Sequence, residues 1–385
     1  MREQMLVFGQ PLISDEEIQE VTDSMRRAWL GTGPKVHAFE KEFARYKGTP
    51  HAAAVNSCTA ALHLACLALD LKLGDEVITS AMTFCATVNA IIHSGATPVL
   101  ADIDPVTRNI DPEEIAARIT PRTRAILVIH FAGVPCDMDR IMPLAREREL
   151  SVIEDCAHAI ETEYHGRKTG TFGEFGCFSF YATKNITTGE GGMVVSAHED
   201  WINRIKVMAL HGMSQDAWKR FSDDGYKHYF VMDRGFKYNM MDLQAAIGLH
   251  QLRKIEEFWL RRQEIWRRYL SAFGDLPLGL PPAGDDGNRH AYHLFTVTLD
   301  ERRTGISRDR FLEEMTRRKI GVGVHYLAIP EHPFYQRNYG WEPNDYPHAR
   351  DYGRSTVSLP LSPKLTDDDI NDVIMAVREI VSAGK

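Results

Sequence analysis

No run of about 18 uninterrupted apolar residues occurs in this 385-residue chain, so no membrane-crossing helix is expected. The first residues, Met1-Arg2-Glu3-Gln4-Met5, do not provide the apolar core that a secretory signal needs, and a cytoplasmic protein is expected. Cysteine is sparse. Cys58, Cys66, Cys85, Cys136, Cys156 and Cys177 are scattered through the first half, none in a Cys-x-x-Cys pair and most inside apolar elements. That pattern argues against a zinc site or a disulfide framework, and no metal is expected. Positive charge is thin, with a net charge of −8. The one dense basic run, Arg261-Arg262 with Arg267-Arg268, recurs at helical spacing and reads as a solvated helix face, so nucleic acid is not an expected partner.

Several nucleotide and hydrolase signatures are missing as well. Gly31-Thr32-Gly33 follows a helix and lacks the third glycine of a dinucleotide fingerprint. No Gly-x-x-x-x-Gly-Lys-Ser/Thr loop, His-Glu-x-x-His pair or Gly-x-Ser-x-Gly elbow is present. A nicotinamide dehydrogenase, an NTPase and a zinc hydrolase are thereby disfavoured. No internal repeat or low-complexity tract is found.

What remains is an ordinary globular composition, 44% apolar and 25% charged, in a chain long enough for two domains. Ser14-Asp15-Glu16-Glu17 is a capping-box pattern that predicts a helix with Ile18, Val21 and Met25 on one face. Val36, Phe39, Phe43 and Tyr46 mark a second amphipathic helix. From residue 51 the pattern changes. Short apolar runs at Ala52–Val55, Val77–Thr79, Pro98–Ala101, Ala125–Ile129, Val152–Glu154, Cys177–Phe180 and Met193–Ser196 read as strands. Helical stretches at Thr59–Leu69, Ala86–His93, Pro112–Arg118 and Met138–Glu149 separate most of them. Near-continuous apolar strands alternating with helices predict an α/β fold with a mostly parallel sheet, covered on both faces.

Beyond this, a long helix is expected from Met241 to Phe273, broken near Glu257, and then a loop over Leu278–Arg289. His293–Leu299 and Gly321–Tyr326 read as strands, Ser307–Lys319 and Thr366–Ala383 as helices. The expected division is a large domain of residues 1–255 and a small α+β domain of residues 256–385.

In such sheets ligands gather beyond the carboxyl ends of the strands. Lys184 lies there, between Cys177-Phe178-Ser179-Phe180 and Gly189-Glu190-Gly191-Gly192-Met193-Val194, where desolvation would favour a neutral amine able to condense with an aldehyde. Val152-Ile153-Glu154-Asp155 delivers a carboxylate to the same rim. An acid that keeps a pyridine nitrogen protonated, with a lysine that holds an aldehyde, is the pair pyridoxal phosphate chemistry requires. In Asn56-Ser57-Cys58-Thr59-Ala60 small residues open a helix whose amides could hold a phosphate, although Ser57 or Thr59 would serve equally as a plain N-cap. Ser179 could add a hydroxyl to that phosphate, Phe84 a stacking face and His158 a contact near Asp155.

These residues resemble the DegT/DnrJ/EryC1/StrS family of sugar-nucleotide aminotransferases. The matching segments are Trp29–Pro34, Asn56–Leu62, Gly95–Val99, Glu154–Ala159, Ser179–Asn185, Gly189–Gly192 and Gly235–Ala246, in the family's order. The resemblance implies an aspartate-aminotransferase-like (fold type I) large domain with a seven-stranded sheet, a small C-terminal domain, and a homodimer with active sites at its interface. It implies pyridoxal 5′-phosphate as cofactor, Lys184 as the Schiff-base lysine and Asp155 as partner of the ring nitrogen. It also implies that Phe84 covers the ring, that His158 lies near its hydroxyl, and that Thr59, Ala60 and Ser179 hold the phosphate. Asn239 of the partner subunit would reach that phosphate, and Thr32 and His325 would line the sugar-nucleotide pocket. Residues 211–233, with Trp218, Tyr226, His228 and Tyr229, would help choose the nucleotide.

Relatives that dehydrate sugars carry histidine where this chain has Lys184, so transamination is expected, from L-glutamate to a nucleotide-linked keto-sugar. Thr187-Thr188-Gly189-Glu190-Gly191-Gly192 resembles members that aminate C4 of a 4-keto-6-deoxyhexose. The alternatives are amination at C3, amination of a keto-inositol, a non-catalytic cofactor-binding regulator and a purely structural scaffold.

Overall fold

The computed structural model describes residues 2–214, 229–282 and 287–383. Helix α1 (Asp15–Arg26) starts where the capping box places it, with Glu17 Oε2 accepting from the Ser14 N–H at 2.9 Å. Its packing is the reverse of the expected one. Ile18 and Met25 are exposed, while Glu17 and Ser24 are buried, and Glu17 accepts from Gln251 and Lys254. A polar network has taken the inner face, which leaves the apolar stripe outward. Helix α2 (Pro34–Lys47) begins on a proline, and the Asp242 carboxylate accepts from its free Lys35 and Val36 amides at 3.2 and 3.0 Å.

The centre is a seven-stranded sheet in the order β1-β9-β8-β5-β4-β2-β3. Its strands are β1 (His51–Val55), β2 (Glu76–Ser80), β3 (Thr97–Ala101), β4 (Thr123–Ile129), β5 (Ser151–Asp155), β8 (Phe175–Ser179) and β9 (Gly192–Ser196). Only β9 runs against the others, paired antiparallel to both β1 and β8. Every strand read from the apolar runs is present, because residues buried on both faces spell continuous apolar stretches. Helices α3 (Cys58–Ala68), α4 (Cys85–Ser94), α5 (Pro112–Arg118), α6 (Met138–Glu147) and α7 (Glu199–Ala209) cover the sheet, and β6 (Glu163–Tyr164) and β7 (Arg167–Lys168) form a small hairpin.

The expected long helix is two, α8 (Asp242–Arg253) and α9 (Ile255–Phe273), meeting at Lys254. Helix α9 enters a second core. There α11 (Arg308–Arg317) and α14 (Asp367–Ala383) pack with an antiparallel sheet of β10 (Leu278–Gly279), β11 (Phe295–Leu299) and β12 (Thr356–Leu359). The short α10 (Glu301–Thr304), α12 (Pro333–Tyr339) and α13 (Pro347–Ser355) complete the chain.

The expectation of a strand at Gly321–Tyr326 fails. That stretch makes one isolated bridge, Gly323 to Ser358, and β12 is the strand that pairs with β11. A Cβ on Gly321 would lie 2.8 Å from the Leu6 carbonyl oxygen, so this glycine marks a close backbone crossing.

That crossing belongs to a strap formed by residues 2–12. Arg2 pairs with Asp369 and Asp372 on α14 at 2.6 Å each. Leu6 exchanges amide bonds with Lys319 and Gly321, Ser362 donates to the Gln10 carbonyl, and Gln251 donates to that of Leu12. In between, Gly9 lies against Thr183 and Phe8 stacks on His325 at 5.5 Å.

Alternation in β5 sends Glu154 to one face and Asp155 to the other. Glu154 is fully buried and accepts from the amides of Gly170, Phe172 and Gly173 and from His130. It therefore ties the loop before β8 to the end of β5. We expect Glu154→Ala to lower unfolding stability by about 3 kcal/mol in urea titration, because the buried amides and His130 lose their common acceptor. A loss below about 1 kcal/mol would show that these groups are satisfied without it.

Candidate active site

The carboxyl ends of β1, β2, β4, β5 and β8 open on one cavity of about 390 Å3. Thr59, Phe84, Asp155, His158, Ser179, Lys184 and His325 all line it. Ala60 lies just behind, with its amide donating to Ser57 Oγ at 3.1 Å, so Ser57 is a true N-cap of α3. Cys58 and Thr59 line the cavity, and among the described residues their first-turn amides have no hydrogen-bond acceptor. A Cβ on Gly192 would stand 2.5 Å from the Ser57 carbonyl carbon, so only glycine lets this loop close over the start of β9.

Asp155 sits at the cavity floor, 5% exposed. One carboxylate oxygen accepts from the Ala157 amide at 3.0 Å and lies 3.9 Å from Cys58 Sγ; the other accepts from Thr87 Oγ1 at 2.8 Å. Burial raises its carboxyl above the usual range, against the pull of those donors. Burial also acts on the Lys184 amine, which it lowers to about 8 despite the nearby Cys58 and Asp155. The lysine turn is anchored from behind. Asn185 donates to both oxygens of buried Glu161 at 2.9 and 2.8 Å and bonds His293 at 2.8 Å.

His158 Nδ1 accepts from the Ala132 amide at 3.3 Å, which assigns the ring proton to Nε2, 3.0 Å from the Tyr326 hydroxyl. Burial keeps this imidazole neutral, well below its ordinary value. Phe84 is 55% exposed at the rim and tilts toward Tyr326, their centroids 5.6 Å apart. His325 is held through Nδ1 by Ser358 at 2.8 Å, and burial lowers it to about 4.

Besides Ala60, two sequence-derived residues do not line this cavity, Thr32 and Asn239. Asn239 donates to Thr32 Oγ1 at 2.8 Å, and Thr32 in turn donates to the Met240 carbonyl at 2.5 Å. They form a unit of their own beyond the end of β1. Trp218, Tyr226 and His228 lie outside the described residues, and Tyr229 is exposed beside them. Sequence reasoning missed Cys58, Thr83, Thr87, Tyr181, Glu190 and Tyr326 as cavity residues. Thr83 and Thr87 were legible in principle, four residues apart at a helix start and so on one face.

Other polar clusters are spent internally. His130, Glu154 and Cys156 lie close together, but His130 Nδ1 accepts from the Cys136 amide and Glu154 from three amides. A larger cavity of about 650 Å3 is lined by Asp104, Asp111 and Asp137, each capping a nearby turn or helix.

A family model for the DegT/DnrJ/EryC1/StrS aminotransferases matches residues 11–378. The chain belongs to that family. It is 49% identical to the spore coat polysaccharide biosynthesis protein SpsC of Bacillus subtilis, over 99% of this chain and 98% of SpsC. Among solved structures, Spr1654 of Streptococcus pneumoniae in its PLP form superposes with a TM-score of 0.92 at 30% identity, covering 99% of this chain and all of that one. Helicobacter pylori PseC, an aminotransferase involved in the biosynthesis of pseudoaminic acid, gives 0.90 at 27% identity, covering 99% of this chain and 100% of PseC. The protein is thus a pyridoxal-phosphate-dependent aminotransferase of fold type I. Its cavity suits that cofactor in three independent ways: a desolvated amine, a buried acid with hydrogen-bond donors behind it, and unpaired amides at the start of an 11-residue helix.

In the cofactor-free protein, modification of Lys184 by an amine-directed reagent should rise with pH and level off just above about 8, because burial favours the neutral amine. Exposed lysines should keep gaining toward about 10.4. Residue-resolved mass spectrometry checks this, and a Lys184 midpoint at the ordinary lysine value would show a hydrated amine.

Proposed function

We propose that the protein transfers an amino group from L-glutamate to a nucleotide-linked keto-sugar, at C4 of a 4-keto-6-deoxyhexose. The observation that carries the reading is the joint placement of Lys184 and Asp155 in one desolvated cavity at the strand ends. The sugar class is supported by SpsC, named for polysaccharide biosynthesis, and by PseC, an aminotransferase involved in the biosynthesis of pseudoaminic acid. C4 is supported by the Thr187–Gly192 segment.

When bound, pyridoxal phosphate carries the amino group between donor and acceptor and takes up the electron pair left as a Cα–H bond breaks. Lys184 Nζ removes the proton from the donor's α-carbon and returns one during the second half of the exchange, and an amine with a value near 8 suits both directions. Asp155 would keep the heterocycle's nitrogen protonated. The amides of Cys58 and Thr59, with the Ser179 hydroxyl, would hold the phosphate. Phe84 and His158 would flank the ring. His325, neutral and clamped by Ser358, faces the sugar nucleotide from the small domain.

The working unit in this reading is a cytoplasmic homodimer. The outward apolar stripe of α1 and the exposed Trp29, Leu30, Phe230, Val231 and Met232 suit a subunit interface. Asn239 and Thr32, bonded together away from their own cavity, would then serve the partner subunit's site.

Lys184→Ala should lower amino transfer at least about 1000-fold, and a panel of UDP-, GDP- and dTDP-linked 4-keto and 3-keto sugars with mass detection should show product from a 4-keto member. Product only from 3-keto sugars or a keto-inositol would move the assignment to those substrates. Near-normal transfer by the variant would remove Lys184 from the chemistry.

Subunit sharing has its own test. Mixing Lys184→Ala with Asn239→Ala chains should restore about a quarter of full activity, since half the dimers would be mixed and each would hold one intact site. No restoration would place Asn239 outside the partner's site.

A further inference from the structure

Behind Asp155 stand two buried hydroxyls that, among the described residues, bond only each other and this carboxylate. Thr87 Oγ1 lies 2.8 Å from Asp155 Oδ2, and Thr83 Oγ1 lies 2.8 Å from Thr87 Oγ1. Both residues are at most 2% exposed, and both line the cavity. The distance suits either threonine as donor, and chemistry decides between them. An ionised carboxylate only accepts, so the single Thr87 hydrogen goes to Asp155, and Thr87 must then accept from Thr83.

We propose that Thr83 and Thr87 form a one-way hydrogen-bond relay, Thr83 O–H to Thr87 O–H to Asp155, that holds this carboxylate ionised against the cofactor's ring nitrogen. Thr87 is then a positioning residue for transamination, acting through Asp155. The proposal rests on the reading of Asp155 as partner of that nitrogen.

Burial penalises the Asp155 charge, and its other oxygen has the Ala157 amide and, at 3.9 Å, the weak thiol donor of Cys58. Without Thr87 the second oxygen loses its donor, the carboxylate becomes more basic, and the shared proton moves from the ring nitrogen toward Asp155. A hydroxyl that itself accepts a hydrogen bond is also the stronger donor, which gives Thr83 its part. The fold fixes both groups cheaply. Thr83 precedes α4 and Thr87 lies in its first turn, where the Thr87 amide bonds the Phe84 carbonyl at 3.1 Å. The residue offered as the stacking face, Phe84, thus sits between the two members of the relay.

The test uses holoenzyme loaded with pyridoxal phosphate isotopically labelled at the ring nitrogen and read by nuclear magnetic resonance. The parent should show a protonated ring nitrogen, and Asp155→Asn an unprotonated one. Thr87→Val, which keeps the shape and removes the hydroxyl, should move the resonance from the first toward the second and lower kcat about 10- to 100-fold, the range for one hydrogen bond to a charged group. Thr87→Ser should restore the parent resonance. A merely structural role for Thr87 would lower thermal stability without moving the nitrogen signal, and that result overturns the relay. If Thr87→Val does not accumulate as folded holoenzyme, Thr83→Val reads the same chain and should give a smaller displacement in the same direction; no displacement there also overturns it. An Asp155→Asn resonance equal to the parent's would instead remove the ring partner, and the underlying reading of the site would fail with the relay.

Discussion

Desolvation at the ends of β5 and β8 governs this molecule. If attraction between Lys184 and Asp155 controlled the cavity, the amine would become more basic and the acid more acidic. Both move the other way, the lysine down and the aspartate up, so the loss of water outweighs their mutual attraction. Burial in this cavity therefore penalises the charged form of each side chain. A neutral amine is the nucleophilic form, and a carboxyl of raised basicity is ready to share a proton with an incoming heterocycle. The fold prepares both groups before any ligand arrives.

That preparation depends on elements that touch no ligand. Glu154 gathers the amides before β8, Asn185 locks the lysine turn to Glu161 and His293, and glycine at 192 lets the α3 loop close down. The first two satisfy buried polar groups that would otherwise disorder the rim, and the glycine avoids a clash with the Ser57 carbonyl. His158 follows the same logic, since one backbone amide, that of Ala132, assigns its proton to the nitrogen facing Tyr326.

Much of this was readable in the residue order. Strands buried on both faces appear as apolar runs, so the sheet and its loaded rim could be located to within a residue or two at most ends, and seven of the residues expected at the site meet in one cavity. The small domain was harder. Gly321–Tyr326 looks like a strand by composition, yet its glycines serve a crossing with residues 6–8, a contact hundreds of positions away in sequence. Helix α1 misled for the converse reason: its periodicity was real, but Gln251 and Lys254 gave Glu17 enough partners to be the buried side. Thr87 shows its spacing from Thr83 in the sequence, but not its purpose, because the neighbour that uses its hydroxyl, Asp155, lies across the fold.

The strap of residues 2–12 has a practical bearing on how this enzyme is handled. It is stitched to α14 by Arg2, to the small sheet's neighbourhood by Leu6 and Gln10, and to α8 by Leu12, and between those stitches it rests on the turn that carries Lys184. Purification handles, protease trimming or fusion partners attached at the amino end would therefore pull on a wall of the catalytic chamber. An attachment after α14 would bear on the small core instead.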